Sequence, residues 1–124
     1  MELIYKEECY SIVGAAFEVF NELGSGFLEA VYQDALNCEF NNQSIPFVEK
    51  PKLQIQFKGI TLNSYYSPDF VVYSKIIVEI KAVKSILDEH RAQTLNYLKA
   101  TGLKLAVLIN FGNPKKLEYE RLLF

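Results

Sequence analysis

Three residues of one short stretch, Asp69, Glu79 and Lys81, offer the most direct chemistry in this sequence. Two carboxylates supply hard oxygen ligands to Mg²⁺ or Mn²⁺, and an ammonium positions or deprotonates water and offsets charge building on an attacked phosphate. They stand in Ser67-Pro68-Asp69-Phe70-Val71-Val72-Tyr73-Ser74-Lys75-Ile76-Ile77-Val78-Glu79-Ile80-Lys81, a run so apolar that its charged members need a reason. Strand alternation puts Glu79 and Lys81 on one face. Asp69 joins them only if the turn allows it. A three-residue loop at 73–75 pairs Val72 with Ile76 and sets Asp69 opposite Glu79, whereas a two-residue loop sets Asp69 opposite Ile80. The alternative without chemistry has Asp69 capping a turn after Pro68 and Glu79 with Lys81 forming a solvated pair on an edge strand.

The elements around this hairpin read from apolar periodicity. Cys9, Ile12, Val13, Ala16, Phe17 and Phe20 recur at helical steps and predict a first helix ending near Gly24. After Gly24-Ser25-Gly26, a second stripe of Leu28, Val31, Tyr32, Ala35, Leu36 and Phe40 predicts a second helix, stopping in Asn41-Asn42-Gln43-Ser44. From Pro46 the pattern turns to short β-rich runs: Phe47-Val48, Leu53 to Phe57, Ile60 to Tyr66, Phe70 to Tyr73 and Ile76 to Val83, with turns at Lys58-Gly59 and Ser74-Lys75. A third helix over Leu87 to Thr101 closes at Gly102, and Leu103 to Phe111 reads as a buried strand. The tail from Lys115 to Phe124 fits an edge strand or a helix, its alternation leaning to strand.

Length and composition bound the answer. The 124 residues, half of them apolar, suit one domain spanning 1–124, and eight Tyr with nine Phe exclude a disordered chain. A net charge of −2 exerts no global pull on nucleic acid, so phosphate binding must come from a local patch or from bound metal. Cys9 and Cys38 lack CxxC spacing and are expected to be buried thiols of a reducing compartment. The start, Met1-Glu2-Leu3-Ile4-Tyr5-Lys6-Glu7-Glu8, lacks a signal-peptide pattern and no apolar run is long enough to span a bilayer, so a cytoplasmic protein without a membrane partner is expected.

Further motifs give the hairpin a context. Gly26-Phe27-Leu28-Glu29-Ala30-Val31-Tyr32 resembles the naming motif of the GxxExxY family, a branch of the PD-(D/E)XK nuclease-like superfamily. Asp69 and Glu79-Ile80-Lys81-Ala82 are similar to that family's hairpin, His90-Arg91-Ala92-Gln93-Thr94-Leu95-Asn96-Tyr97-Leu98 to its following helix, and Leu103 to Gly112 to its closing strand. The resemblance implies an α/β (α+β) fold with an αβββαβ core, a mixed sheet flanked by helices. It also implies that Glu29 joins the metal site and that Gln93 helps to position water or phosphate. Sequence physics gives Glu29 a second account, since a carboxylate in a first helical turn is stabilised by free backbone N–H groups.

The reading that follows is a Mg²⁺- or Mn²⁺-dependent nuclease acting on nucleic acid. Asp69, Glu79 and the Ile80 backbone carbonyl would hold the metal, with Glu29 completing or orienting the shell and Lys81 acting on water. Base action requires metal and partial burial to depress the Lys81 pKa against two carboxylates; otherwise its charge acts electrostatically. His90, Gln93 and Tyr97 fall at i, i+3 and i+7 on one helical face, which with Arg91 makes a substrate side. Tyr32 and Tyr97 suit core rings with hydrogen-bonded hydroxyls better than nucleophiles. The rival is a weak or inactive nuclease-fold domain that binds nucleic acid or protein, favoured if Lys84, Arg91 and Lys99 disperse rather than cluster near Lys81. A third reading makes the chain one subunit of an assembly such as a homo-oligomer, paired through an apolar edge at Leu122-Leu123-Phe124.

Overall fold

Two amphipathic helices lead the chain and cover one face of a five-stranded sheet. The computed structural model describes Leu3–Phe124; Met1 and Glu2, the start of the segment read as lacking a signal-peptide pattern, lie outside the described residues. Helix α1 spans Lys6–Leu23 and α2 spans Glu29–Asn42. Their buried residues, Cys9, Ile12, Ala15, Ala16 and Val19 on α1 and Tyr32, Leu36 and Phe40 on α2, follow the helical repeat and pack on the sheet. The stripe is rotated from the expected one. Phe17, Leu28 and Val31 are exposed, and Phe17 instead meets the Tyr119 ring edge-on at 6.0 Å. Cys9 is buried as expected, but Cys38 is exposed because α2 turns that side away from the sheet.

The strands are β1 (Phe47–Glu49), β2 (Leu53–Phe57), β3 (Ile60–Tyr66), β4 (Phe70–Val72), β5 (Ile76–Lys81), β6 (Leu105–Asn110) and β7 (Glu118–Leu123). The main sheet runs β1-β4-β5-β6-β7, with β5 and β6 parallel and the other pairs antiparallel. A parallel pair needs a crossover, and helix α3 (Asp88–Thr101) supplies it. Helix α2, strands β1, β4 and β5, helix α3 and strand β6 give the expected αβββαβ core, to which α1, the separate β2–β3 hairpin and β7 are added. The tail is a strand: it pairs with β6 from Leu105↔Leu123 to Asn110↔Glu118.

Alternation divides each central strand between two cores. Phe70, Val72, Ile76, Val78, Ile80, Val107 and Ile109 face α1 and α2. Val71, Ile77 and Ala106 face Leu98 of α3 and Tyr66 of β3. All six residues of β6 are buried, as a central parallel strand requires. Phe40, Phe47 and Phe70 meet at 5.2–5.5 Å between centroids and fasten α2 to β1 and β4. Burying each such ring is worth about 2–3 kcal/mol before its conformational cost. Among the described residues no helix is long and apolar enough to cross a membrane.

The register of the β4–β5 hairpin is the odd one. Val72 pairs with Ile76 across a three-residue loop, Tyr73-Ser74-Lys75, one residue longer than the expected Ser74-Lys75 turn. Tyr73 and Ser74 both take left-handed conformations, with φ of 55° and 62°. The loop is held from outside: the Tyr73 N–H donates to the Pro46 carbonyl at 2.9 Å, and Lys75 pairs with Glu8 of α1 at 2.7 Å. Strand β5 stops at Lys81 rather than Val83, because the Asn110 side chain captures both Val83 backbone groups.

Candidate active site

Continuing the β4–β5 register by one step places Asp69 across from Glu79, both on the α3 face of the sheet. Glu79 Oε1 accepts the Asp69 N–H at 3.0 Å, and Asp69 Oδ2 accepts the Ile80 N–H at 2.7 Å. The two carboxylates are therefore laced to each other's strands at the point where β4 and β5 part. Among the described residues no protein donor reaches Asp69 Oδ1 or Glu79 Oε2. A strand residue projects its N–H and C=O to the same edge. The Ile80 N–H faces Asp69, and the Lys81 carbonyl accepts Phe111 N–H on the β6 side at 2.8 Å, so the Ile80 carbonyl opens toward Asp69. Lys81, two residues from Glu79, shares its face, and forms no ion pair among the described residues.

The electrostatics of the pair are those of carboxylates without a sufficient cation. Burial first, and then the neighbouring Asp69 charge, push Glu79 up to about 7 against the Tyr66 and Asp69 donors and Lys81. Asp69 is also raised, by burial, with the Ile80 amide, Lys50 and Lys81 opposing. Among the described residues no three His, Cys, Asp or Glu side chains gather closely enough to hold a metal by themselves. The donor set nevertheless fits a hard divalent ion that keeps several waters, since such ions need only one or two carboxylates.

Glu29 approaches from the other layer. Gly24 and Gly26, at φ of 68° and 108°, turn the chain between α1 and α2, and Tyr32 fixes that turn. Its hydroxyl donates to the Gly24 carbonyl at 2.6 Å and accepts Phe27 N–H at 3.3 Å, while its ring stacks on Phe111 at 4.6 Å. The spacing of Gly26, Glu29 and Tyr32 thus has a physical reading: a bend, an acid, and the ring that pins the bend. Glu29 opens α2, whose N-cap residue Leu28 makes no side-chain cap hydrogen bond. Burial raises the Glu29 pKa, Lys81 opposes, and Asp69 adds to the rise, with the Ala82 backbone and His90 also opposing. The acid therefore lies within electrostatic reach of Lys81 and Asp69 while staying outside their hydrogen bonds.

The α3 residues separate. Tyr97 stacks on Tyr66 at 3.6 Å between centroids, and the Tyr66 hydroxyl donates to Glu79 Oε1 at 2.8 Å, so Tyr97 backs Glu79 from inside the wall. Burial and Glu79 raise the Tyr66 pKa, which keeps this hydroxyl a donor. His90 and Gln93 instead line a shallow open depression with Asn96. His90 Nδ1 accepts the Leu87 N–H at 3.0 Å, which closes the helix start. Arg91 does not project to the substrate side: Glu120 grips its guanidinium through two 2.7 Å hydrogen bonds and Asp88 through a third, tying α3 to β7.

Several residues that position the site carried no motif. Gln33 donates to the Asp69 carbonyl and to Glu49, both at 3.1 Å, and Lys50 N–H donates to the same carbonyl at 3.0 Å. Buried Asn110 binds Val83 N–H at 2.9 Å, Val83 carbonyl at 2.8 Å and Glu118 at 2.9 Å, fixing the chain just after Lys81. Gly112 lies so near that an added Cβ would stand 2.3 Å from Val83 N. A polar Asn ending an apolar strand and followed by Phe-Gly was the available signal for this clamp; Gln33 and Tyr66 gave none.

A mixed sheet with an acid pair where its central hairpin opens defines a nuclease-like architecture. The sequence profile described as PD-(D/E)XK nuclease superfamily matches residues 6–122, and the chain belongs to that superfamily. No curated protein matches it. Among solved structures, the crystal structure of SSO0001 is similar in fold, with a TM-score of 0.60 at 18% identity over 96% of this chain. The chain spans 57% of the length of that structure.

Proposed function

We propose that this protein is a metal-dependent nuclease of the GxxExxY type, with Asp69, Glu79 and the Ile80 carbonyl as metal ligands. The observation that carries the reading is the odd register of the β4–β5 hairpin, which brings two partly buried carboxylates to one face with an oxygen of each unclaimed by any donor among the described residues. A bound Mg²⁺ or Mn²⁺ would supply Lewis acidity and a more acidic water. The chain's own residues do the rest. Tyr66 and the Asp69 amide hold Glu79 in place, and Ile80 holds Asp69, so neither carboxylate must reorganise on binding. Lys81, beside both acids and free of ion pairs among the described residues, orients the attacking water and offsets phosphate charge, and Glu29 steadies the outer waters from α2. Gln93 and His90 contact substrate from the open depression.

The test is cleavage of a mixed panel of DNA and RNA, single- and double-stranded, with Mg²⁺ or Mn²⁺, by wild type beside Asp69→Ala and Lys81→Ala. Loss of cleavage by about 100-fold or more in each variant is expected. Equal residual cleavage in all three rejects the assignment. One observation favours the second reading, a nuclease-fold domain that binds without efficient cleavage: Arg91 is neutralised by Glu120 and Asp88 rather than offered beside Lys81. Metal-independent binding with no cleavage under any of these conditions would select it.

A further inference from the structure

The β2–β3 hairpin stands apart from the main sheet and has a composition unlike the rest of the chain. Between Glu49 and Asp69 lie Lys50, Lys52 and Lys58 and no acidic residue, in a protein of net charge −2. The hairpin packs by one face only, through Leu53 and Ile55, against the cluster of Tyr66 and Leu98. Two of its rings are open: Tyr65, which pairs with Gln54 on the face away from Leu53, is 51% exposed, and Phe57, beside the hairpin turn, is 56% exposed. Each exposed ring carries an ammonium, Lys52 at 5.0 Å from the Tyr65 centroid and Lys58 at 5.5 Å from that of Phe57. At its root the hairpin joins the candidate site, because Tyr66 bonds Glu79, and the Lys50 amide bonds the Asp69 carbonyl with its charge acting on that carboxyl.

Exposed rings paired with cations in a segment free of acids match one ligand chemistry, a polyanion with flat unpaired faces. Bases stack on such rings only when unstacked from a duplex, whereas lysines follow the phosphates of either form. We infer that the β2–β3 hairpin is a binding arm for single-stranded nucleic acid. Tyr65 and Phe57 stack bases, and Lys58, Lys52 and Lys50 lead the phosphates toward Asp69 and Glu79. The inference rests on the nuclease reading for its direction toward the site, but the arm binds through groups that the metal does not use.

Fluorescence anisotropy of a labelled single-stranded 20-nucleotide DNA and of its duplex, titrated with the whole chain in EDTA, tests it without cleavage. The single strand should bind more tightly than the duplex. Tyr65→Ala and Phe57→Ala should each weaken it about fivefold or more, the effect of one lost stack. The double variant Lys52→Gln, Lys58→Gln should lower the slope of log affinity against log salt by about 1.4, from about 0.7 per phosphate contact on a single strand. Thermal melts should not move, because these side chains are exposed. Absent binding to the single strand, tighter duplex binding, or unchanged affinity in both ring variants overturns the arm. If the arm fails while Asp69-dependent cleavage persists, the nuclease reading stands; if the ring variants lose binding and no metal gives cleavage, the arm stands alone.

Discussion

Replacing Glu79 by Gln should stabilise the protein at pH 8 and leave it nearly unchanged at pH 5. Glu79 is moved from its ordinary 4.5 to about 7 by burial and by Asp69. A carboxyl whose folded pKa lies above its unfolded value is favoured by folding when protonated. Its contribution is fully present below about pH 4.5 and is lost as pH rises through about 7. At 1.36 kcal/mol per pH unit, the whole loss is about 3 kcal/mol. Gln removes the ionisation, yet its carbonyl oxygen can still accept the Tyr66 hydroxyl and the Asp69 amide that Glu79 Oε1 accepts now. Urea denaturation at pH 5 and pH 8 reads the difference: the variant's advantage should be about 2–3 kcal/mol larger at pH 8. Millimolar Mg²⁺ should then stabilise the wild type at pH 8 more than the variant. An equal advantage at both pH values would show that the Glu79 charge costs folding nothing, and the argument for an uncompensated acid pair would fall.

Tyr66→Phe removes a donor to Glu79, so the Glu79 carboxyl titration followed by ¹³C NMR should move upward from about 7. Asn110→Leu leaves both Val83 backbone groups and the Gly112 N–H without their partner and should cost about 3 kcal/mol in urea denaturation. Gly112→Ala drives a Cβ into the Val83 backbone and should destabilise at least as much, with Lys81-dependent cleavage falling along with it. Arg91→Ala should leave metal-dependent cleavage near wild type, because its guanidinium is committed to Glu120 and Asp88. That substitution should also relax the depressed Glu120 pKa, flattening the stability loss that wild type shows as pH falls below 4.5.

The sequence made the elements legible because each buries a face with a period of its own. Tyr32, Leu36 and Phe40 mark one side of α2 at four-residue steps, and the unbroken apolar run from Leu105 to Ile109 marks a strand covered on both faces. The acid pair was legible only conditionally: the apolar alternation leaves the loop length open, and the three-residue loop of the structure is what puts Asp69 with Glu79. The tail was ambiguous by pattern, and its pairing with β6 decides it. Contacts that leave no local trace stayed hidden. Tyr66 reaches Glu79 from a strand outside the main sheet, Gln33 reaches the Asp69 carbonyl from a helix, and Arg91 finds Glu120 across the α3–β7 layer. In each, the side chain is ordinary for its element and only the packing of layers supplies its partner.

The location of free charge orders these observations. Arg91 and Lys75 are paired with acids at 2.7 Å, which removes them as phosphate contacts. Among the described residues Lys81 is free of ion pairs, and the stretch between Glu49 and Asp69 holds three lysines and no acid, with two of the lysines carried on exposed rings. If the hairpin is the arm inferred above, the chain's weak net charge conceals a basic route from the hairpin tip at Lys58 past Lys52 to Lys50, whose charge acts on Asp69. A strand following it would approach Glu79 beside the Tyr66–Tyr97 stack and leave past Lys81, with Glu29 across the opening. Salt should then weaken substrate capture more steeply than it weakens metal binding, since the two depend on different charges. Equal salt sensitivity of the two would place substrate capture at the acid pair itself and remove the hairpin from the route.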